Sequence, residues 1–225
     1  MVRGLSFRST AIAVIAFAIA MAYLESAVVV YLQGALDGRV WEIFPLRPEL
    51  ALGDYNLIEV GREVATLVMI GAVGLLVGRS GLERLAWAAV VFGVWDIGYY
   101  AWLQVFSGWP GSWGTTDLLF LIPLPWVGPV WSPVLVSVAL VLVGLAGAGR
   151  LRDDRQLVPT PRHWAAGLVG GFTVILSWTI DSGRLLDGNL PGSYPWPIFA
   201  IGMLLALIGA ADVLRTATGR PQPIT

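Results

Sequence analysis

Apolar residues run along this chain in blocks of about twenty, separated by short polar or proline-rich connections. A helix of about 20 apolar residues crosses the hydrocarbon core of a bilayer, so each block is long enough to span it. The pattern predicts six spans, near residues 10–32, 57–77, 85–105, 118–148, 163–180 and 197–213. The fourth begins with LIPLPWVGPVWSP, where Pro123, Pro125, Pro129 and Pro133 each lack an amide donor. A kinked, re-entrant or interfacial start is therefore expected there, with regular helix from about Val134 onward.

The fold class that follows is an all-α membrane protein, a six-transmembrane-helix bundle with an irregular Pro-rich start to its fourth span. Residues 1–225 form a single transmembrane domain with no internal repeat. Composition agrees, with 56% hydrophobic and 13% charged residues. The 14 basic residues are all arginines and give orientation by the positive-inside rule. Arg3, Arg8, Arg79, Arg84, Arg150, Arg152, Arg155, Arg162, Arg215 and Arg220 fall on one side of six crossings, whereas Arg39, Arg47 and Arg184 fall on the other. Both termini are expected in the cytoplasm, and most tryptophans, Trp41, Trp102, Trp109, Trp113 and Trp196 among them, lie toward the outer side. The first apolar run continues past Glu25 through VVVYL, which favours an uncleaved span over a secretory signal. The longest outer connection, 33–56, is expected to be an ordered loop, with a lid over the outer face as the alternative.

Against this apolar background the stretch LIEVGREVATLVMI stands out, because Glu59, Arg62 and Glu63 sit inside a span. With a helical rise of about 1.5 Å per residue, Glu25 on span one and Glu63 on span two each lie roughly 10 Å below the outer boundary. Asp96 on span three lies roughly 13 Å below it. Three helices thus bring carboxylates to one layer. Glu59, Arg62, Glu63 and Thr66 follow i, i+3, i+4, i+7 spacing and form one polar stripe. Asp96 has Tyr99 and Tyr100 on its own face and Gly93 one turn before it, and Ala18, Ala22 and Ser26 make a small-residue ridge beside Glu25. A lipid-facing charge costs on the order of 3 kcal/mol even on lenient scales, so these groups are expected to face the interior. Four acids, Glu25, Glu59, Glu63 and Asp96, then surround one arginine, and the excess charge calls for protonation, hydration or a bound cation.

Other features carry less chemistry. Asp117 beside Thr116 is expected to cap the fourth span, Asp181 with Arg184 and Asp212 with Arg215 to form local i, i+3 pairs, and His163 to sit at the interface. One histidine and no cysteine argue against haem, zinc and copper. The absence of lysine excludes a retinal Schiff base, and no nucleotide, hydrolase or metalloprotease motif occurs. No nucleic-acid footprint is present. No residue is assigned a catalytic or metal-ligating role and no cofactor is identified, although a carboxylate cluster suits a hard cation, a proton or an organic amine.

The stretches YLESAVVVYL (23–32), EVGREVATLVM (59–69), FGVWDIGYY (92–100) and LLFLIPLPWVGPVWSP (118–133) together resemble a group of small bacterial polytopic membrane proteins with no assigned activity. The resemblance covers roughly the first two-thirds of the chain and implies a bacterial inner-membrane location, but no chemistry. The sequence reading is then a multi-pass protein with an outward-facing acidic pocket of Glu25, Glu59, Arg62, Glu63, Asp96, Tyr99 and Tyr100. That pocket binds a cation or a cationic small molecule and is suited to proton-coupled transport. With only six spans and no inverted repeat, transport calls for a homodimer. The alternatives are an intramembrane enzyme acting on a lipid or apolar substrate through carboxylate acid/base chemistry or a carboxylate-held metal, and an accessory subunit of a membrane complex.

Overall fold

The computed structural model describes residues 6–35, 54–153 and 155–219. Most of the 33–56 connection, expected as a loop or lid, therefore lies outside the described residues. Helix α1 spans Phe7–Ala35, α2 Asp54–Val77 and α3 Gly81–Ser107. Strands β1 (Thr116–Phe120) and β2 (Trp126–Pro129) follow, then α4 (Trp131–Arg152), β3 (Arg155–Gln156), α5 (Pro161–Thr179), α6 (Ser182–Leu186), α7 (Trp196–Arg215) and β4 (Thr218–Gly219). Six segments, one each within α1, α2, α3, α4 and α7 and one running from α5 through α6, are long and apolar enough to cross a membrane, the architecture of a multi-pass membrane protein.

These helices are apolar nearly all the way round, so hydrophobicity alone cannot choose the face turned inward. Size and polarity choose it instead. Leu24, Leu57, Leu76, Phe172 and Ile208 point outward, where lipid accepts them, while Ala18, Ala22, Ser26 and Ser137 are fully buried. The expected ridge of Ala18, Ala22 and Ser26 packs on α3, and the Ser26 hydroxyl donates to the Tyr99 carbonyl at 3.0 Å. Gly93 is where α3 meets α4 most closely, since a Cβ there would stand 2.4 Å from the Ser137 carbonyl oxygen.

Helix α3 is the hub, packing on α1, α2 and α4. Val14, Met21, Ile70, Trp87, Val90, Val91, Trp95 and Ala148 fill the space between them. Helices α5 and α7 form a second pair around Val174, Trp178 and Phe199. It joins the first group through α4 against α7 and α5 against β2.

Helix α4 begins at Trp131 rather than Leu118, because the proline-rich run is folded as an antiparallel hairpin. Thr116 faces Pro129, Asp117 faces Gly128 and Leu118 faces Val127, with an irregularity before Phe120 pairs with Trp126. Pro123 and Pro125, which have no N–H to donate, fall in the connection between the strands. Protein groups, rather than lipid, satisfy this backbone: Ser182 donates to the Pro125 carbonyl at 2.6 Å, and Ser132 donates to the Pro129 carbonyl at 2.9 Å while accepting from the Trp178 indole at 2.8 Å. The hairpin and the N-termini of α4 and α7 mark one end of the molecule. The start of α1, the α2–α3 turn and the α4–α5 connection mark the other.

Candidate functional site

Near the hairpin end, α1, α2, α3 and β1 converge on a small cavity of about 60 Å³. Glu25, Arg62, Glu63, Thr66, Asp96 and Asp117 contribute its charged and hydroxyl groups, and Trp95, Tyr99 and Tyr100 its aromatic wall. Every residue of the acidic layer read from the sequence lines this cavity except Glu59, which lies beside it.

Arg62 organises one side. Its guanidinium forms an ion pair with Glu25 of α1 and a second with Glu59, one turn earlier on α2, at 2.6 Å. The Glu25 carboxylate also accepts from Thr66 at 3.4 Å, so the i, i+7 partner of Glu59 reaches across to α1. Helical spacing on α2 therefore aligns the stripe, and Glu25 ties that stripe to the next helix.

Among the described residues, the remaining acids form no ion pair and accept hydrogen bonds from neutral donors. Glu63 accepts the Leu121 backbone N–H with both oxygens, at 2.8 and 3.1 Å, which anchors the hairpin connection to α2. Asp96 accepts the Ser137 hydroxyl of α4 at 2.8 Å. Asp117 accepts the Tyr100 hydroxyl at 2.9 Å and its neighbour's N–H, that of Leu118, at 2.8 Å. It thus sits on a strand and faces the cavity instead of capping a helix, a correction to the sequence reading. Burial pushes the Asp117 carboxyl up from 3.8 to about 7, against the lowering effect of the Tyr100 and Leu118 hydrogen bonds, and the Asp96 charge adds to the rise. Tyr99 stands beside Tyr100 with ring centroids 5.2 Å apart. Trp95, only 7% exposed, carries an indole N–H with no hydrogen-bond partner among the described residues.

Among the described residues, the cavity wall carries four carboxylates, from Glu25, Glu63, Asp96 and Asp117, to one guanidinium. Neutral donors satisfy three of the four but cancel no charge. Carboxyl, hydroxyl and indole groups thus line one small cavity. No three of His, Cys, Asp or Glu among the described residues form a metal-ligand set.

A second buried ionic cluster, at the opposite end, was not anticipated from the sequence. Glu83, 2% exposed, accepts Arg152 Nε at 2.7 Å, the Arg79 backbone N–H at 2.9 Å and the Trp87 indole at 3.2 Å. Arg152 Nη1 continues to Thr10 of α1 at 2.9 Å. The local half of this cluster was legible, since Ser80 and Glu83 have capping-box spacing and the Ser80 hydroxyl does accept the Glu83 N–H. The Arg152 half is a contact between distant parts of the chain. The local pairs expected of two other acids are also replaced: Asp212 is bonded by His163 Nε2 at 2.7 Å, and Asp181 accepts the Gly192 N–H at 2.7 Å.

The chain matches no family model, no curated protein and no solved structure.

Proposed function

We propose that this protein is a multi-pass protein of a bacterial inner membrane whose acidic layer takes up a proton or a small cation from the hairpin side, expected to face outward, and passes it toward the membrane interior. The observation that carries this reading is the unbalanced charge of the cavity wall, four carboxylates to Arg62 among the described residues. An uncompensated buried charge is costly, so the excess is relieved by protons or by a bound cation. The small volume, about 60 Å³, favours a proton or a small hydrated ion over an organic amine or a lipid substrate. The glycine and proline content of the hairpin supplies irregular backbone at the site, as ion-binding membrane proteins often use. Transport on six spans would draw on a second copy of the chain.

Proteoliposomes loaded with a pH-sensitive dye test this reading. Protein-dependent proton entry, or sodium- or potassium-driven pH change, is expected in the wild type and is expected to fall at least tenfold in Glu63→Gln and Asp96→Asn. Vesicles no more permeable than protein-free controls to protons, sodium and potassium would remove the transport reading.

A further inference from the structure

A groove of about 960 Å³ lies at the opposite end from the acidic cavity, formed by the start of α5 and the last turns of α7. Its wall divides in two along the helix axes. Leu204, Leu207, Ile208 and Ala166 make the deeper part apolar, while Thr160, Arg162, His163, Asp212 and Arg215 make the end part polar. Apolar surface below and cationic surface above match the amphipathic outline of a phospholipid seated with its headgroup at the helix ends.

The charges favour one headgroup class. Of the four ionisable groups lining the groove, His163 and Asp212 are occupied with each other. His163 Nδ1 accepts the Thr160 backbone N–H at 2.9 Å, so Nε2 carries the ring proton that it donates to Asp212. Arg162 and Arg215 have neither a hydrogen bond nor an ion pair with any described residue. Arg215 was expected to pair with Asp212, and the histidine has taken its place. Two arginine side chains are thereby left beside an apolar groove at the membrane boundary. Juxtamembrane arginines attract anionic headgroups by about 1 kcal/mol each.

We infer that the groove between α5 and α7 binds one phospholipid with an anionic headgroup, held at its phosphate by Arg162 and Arg215 and along its acyl chains by Leu204, Leu207 and Ile208. This site is independent of the acidic cavity. It fits the positive-inside expectation, which places the arginine-rich end against the cytoplasmic leaflet, where anionic lipids provide the ligand.

Native mass spectrometry of the full chain, exchanged into detergent with equal amounts of phosphatidylglycerol and phosphatidylcholine, tests the inference. Wild-type protein is expected to retain one phosphatidylglycerol in preference to phosphatidylcholine by on the order of tenfold or more, and Arg162→Gln/Arg215→Gln to lose that preference. Both arginines are exposed and lack a partner among the described residues, so the double variant is expected to fold; its unfolding midpoint serves as the check. Arg150→Gln, at the same end but outside the groove, is expected to keep the preference. Equal retention of the two lipids by the wild type would overturn the inference, as would an unchanged preference in the double variant or an equal loss in Arg150→Gln. Release of the lipid by millimolar inorganic phosphate would reassign the arginines to a free anion and overturn it as well.

Discussion

Two buried ionic clusters sit at opposite ends of this bundle. At the end where the chain starts, one carboxylate, Glu83, faces one guanidinium, Arg152, and both carboxylate oxygens accept hydrogen bonds, from Arg152, Trp87 and the Arg79 amide. At the hairpin end, one guanidinium, Arg62, serves the two acids Glu25 and Glu59, while Glu63, Asp96 and Asp117 have only neutral donors. The first cluster is balanced and packed tight; the second is unbalanced and encloses a cavity. Charge in a water-poor interior is costly in both places. Only the second leaves carboxylates without an ion pair among the described residues, and that difference separates a fastening from a candidate site.

The largest effect is expected where the balanced cluster is broken. Arg152→Met leaves Glu83 buried beside neutral donors and is expected to cost about 3–5 kcal/mol of stability, read from denaturant unfolding in detergent. The same readout applied to Arg62→Met sharpens the comparison: its loss is expected to shrink as the pH is lowered, because carboxylates that have lost their cation can take up protons. A loss that does not change with pH would place the two clusters in the same class.

Asp117 gives a second contrast, through pH. Its folded carboxyl titrates at about 7 against an ordinary 3.8, so the folded protein holds the proton more tightly than the unfolded chain. The resulting stability is fully present below 3.8 and is lost as the pH rises through about 7. At roughly 1.36 kcal/mol per pH unit, the shift from 3.8 to about 7 sets a ceiling of roughly 4 kcal/mol on that loss. Asp117→Asn is expected to flatten this part of the unfolding curve and to be more stable than the wild type at alkaline pH. Parallel pH profiles of the two proteins would contradict the assignment.

How much of this was legible depended on the distance along the chain over which each feature is built. Glu59, Arg62, Glu63 and Thr66 follow from one helical period, and Glu25 and Asp96 join them by counting residues from span ends. The hairpin did not follow, because a five-residue strand inside an apolar, proline-rich run has no period that separates it from a distorted helix. With the hairpin went Asp117, whose contact with Tyr100 depends on a strand turning back over α3. Glu83 with Arg152 and His163 with Asp212 lie 69 and 49 residues apart, beyond the reach of local spacing.

Gly93 links fold to site, since α4 approaches α3 there and presents Ser137 to Asp96. Gly93→Ala is expected to cost about 1–3 kcal/mol through overpacking against the α4 backbone. It is also expected to weaken whatever depends on Asp96, measured as unfolding midpoint and ion flux together. The smallest change in stability is expected for Glu63→Gln, which keeps an oxygen for the Leu121 N–H and is expected to shift unfolding by no more than about 1.5 kcal/mol. A near-neutral effect on stability combined with a large effect on flux would separate the two clusters most clearly.

Ion uptake at the hairpin end requires that the excess carboxylates beside Arg62 be relieved by exchangeable protons or cations. Infrared difference spectroscopy of the purified protein, following carboxyl and carboxylate bands as the pH or the sodium concentration is changed, reads those groups directly. Bands that respond in the wild type and are lost individually in Glu63→Gln, Asp96→Asn and Asp117→Asn are expected. Carboxylates that keep one protonation state from acidic to alkaline pH, and do not respond to added cation, would contradict it and leave the hairpin-end cluster as a second fastening.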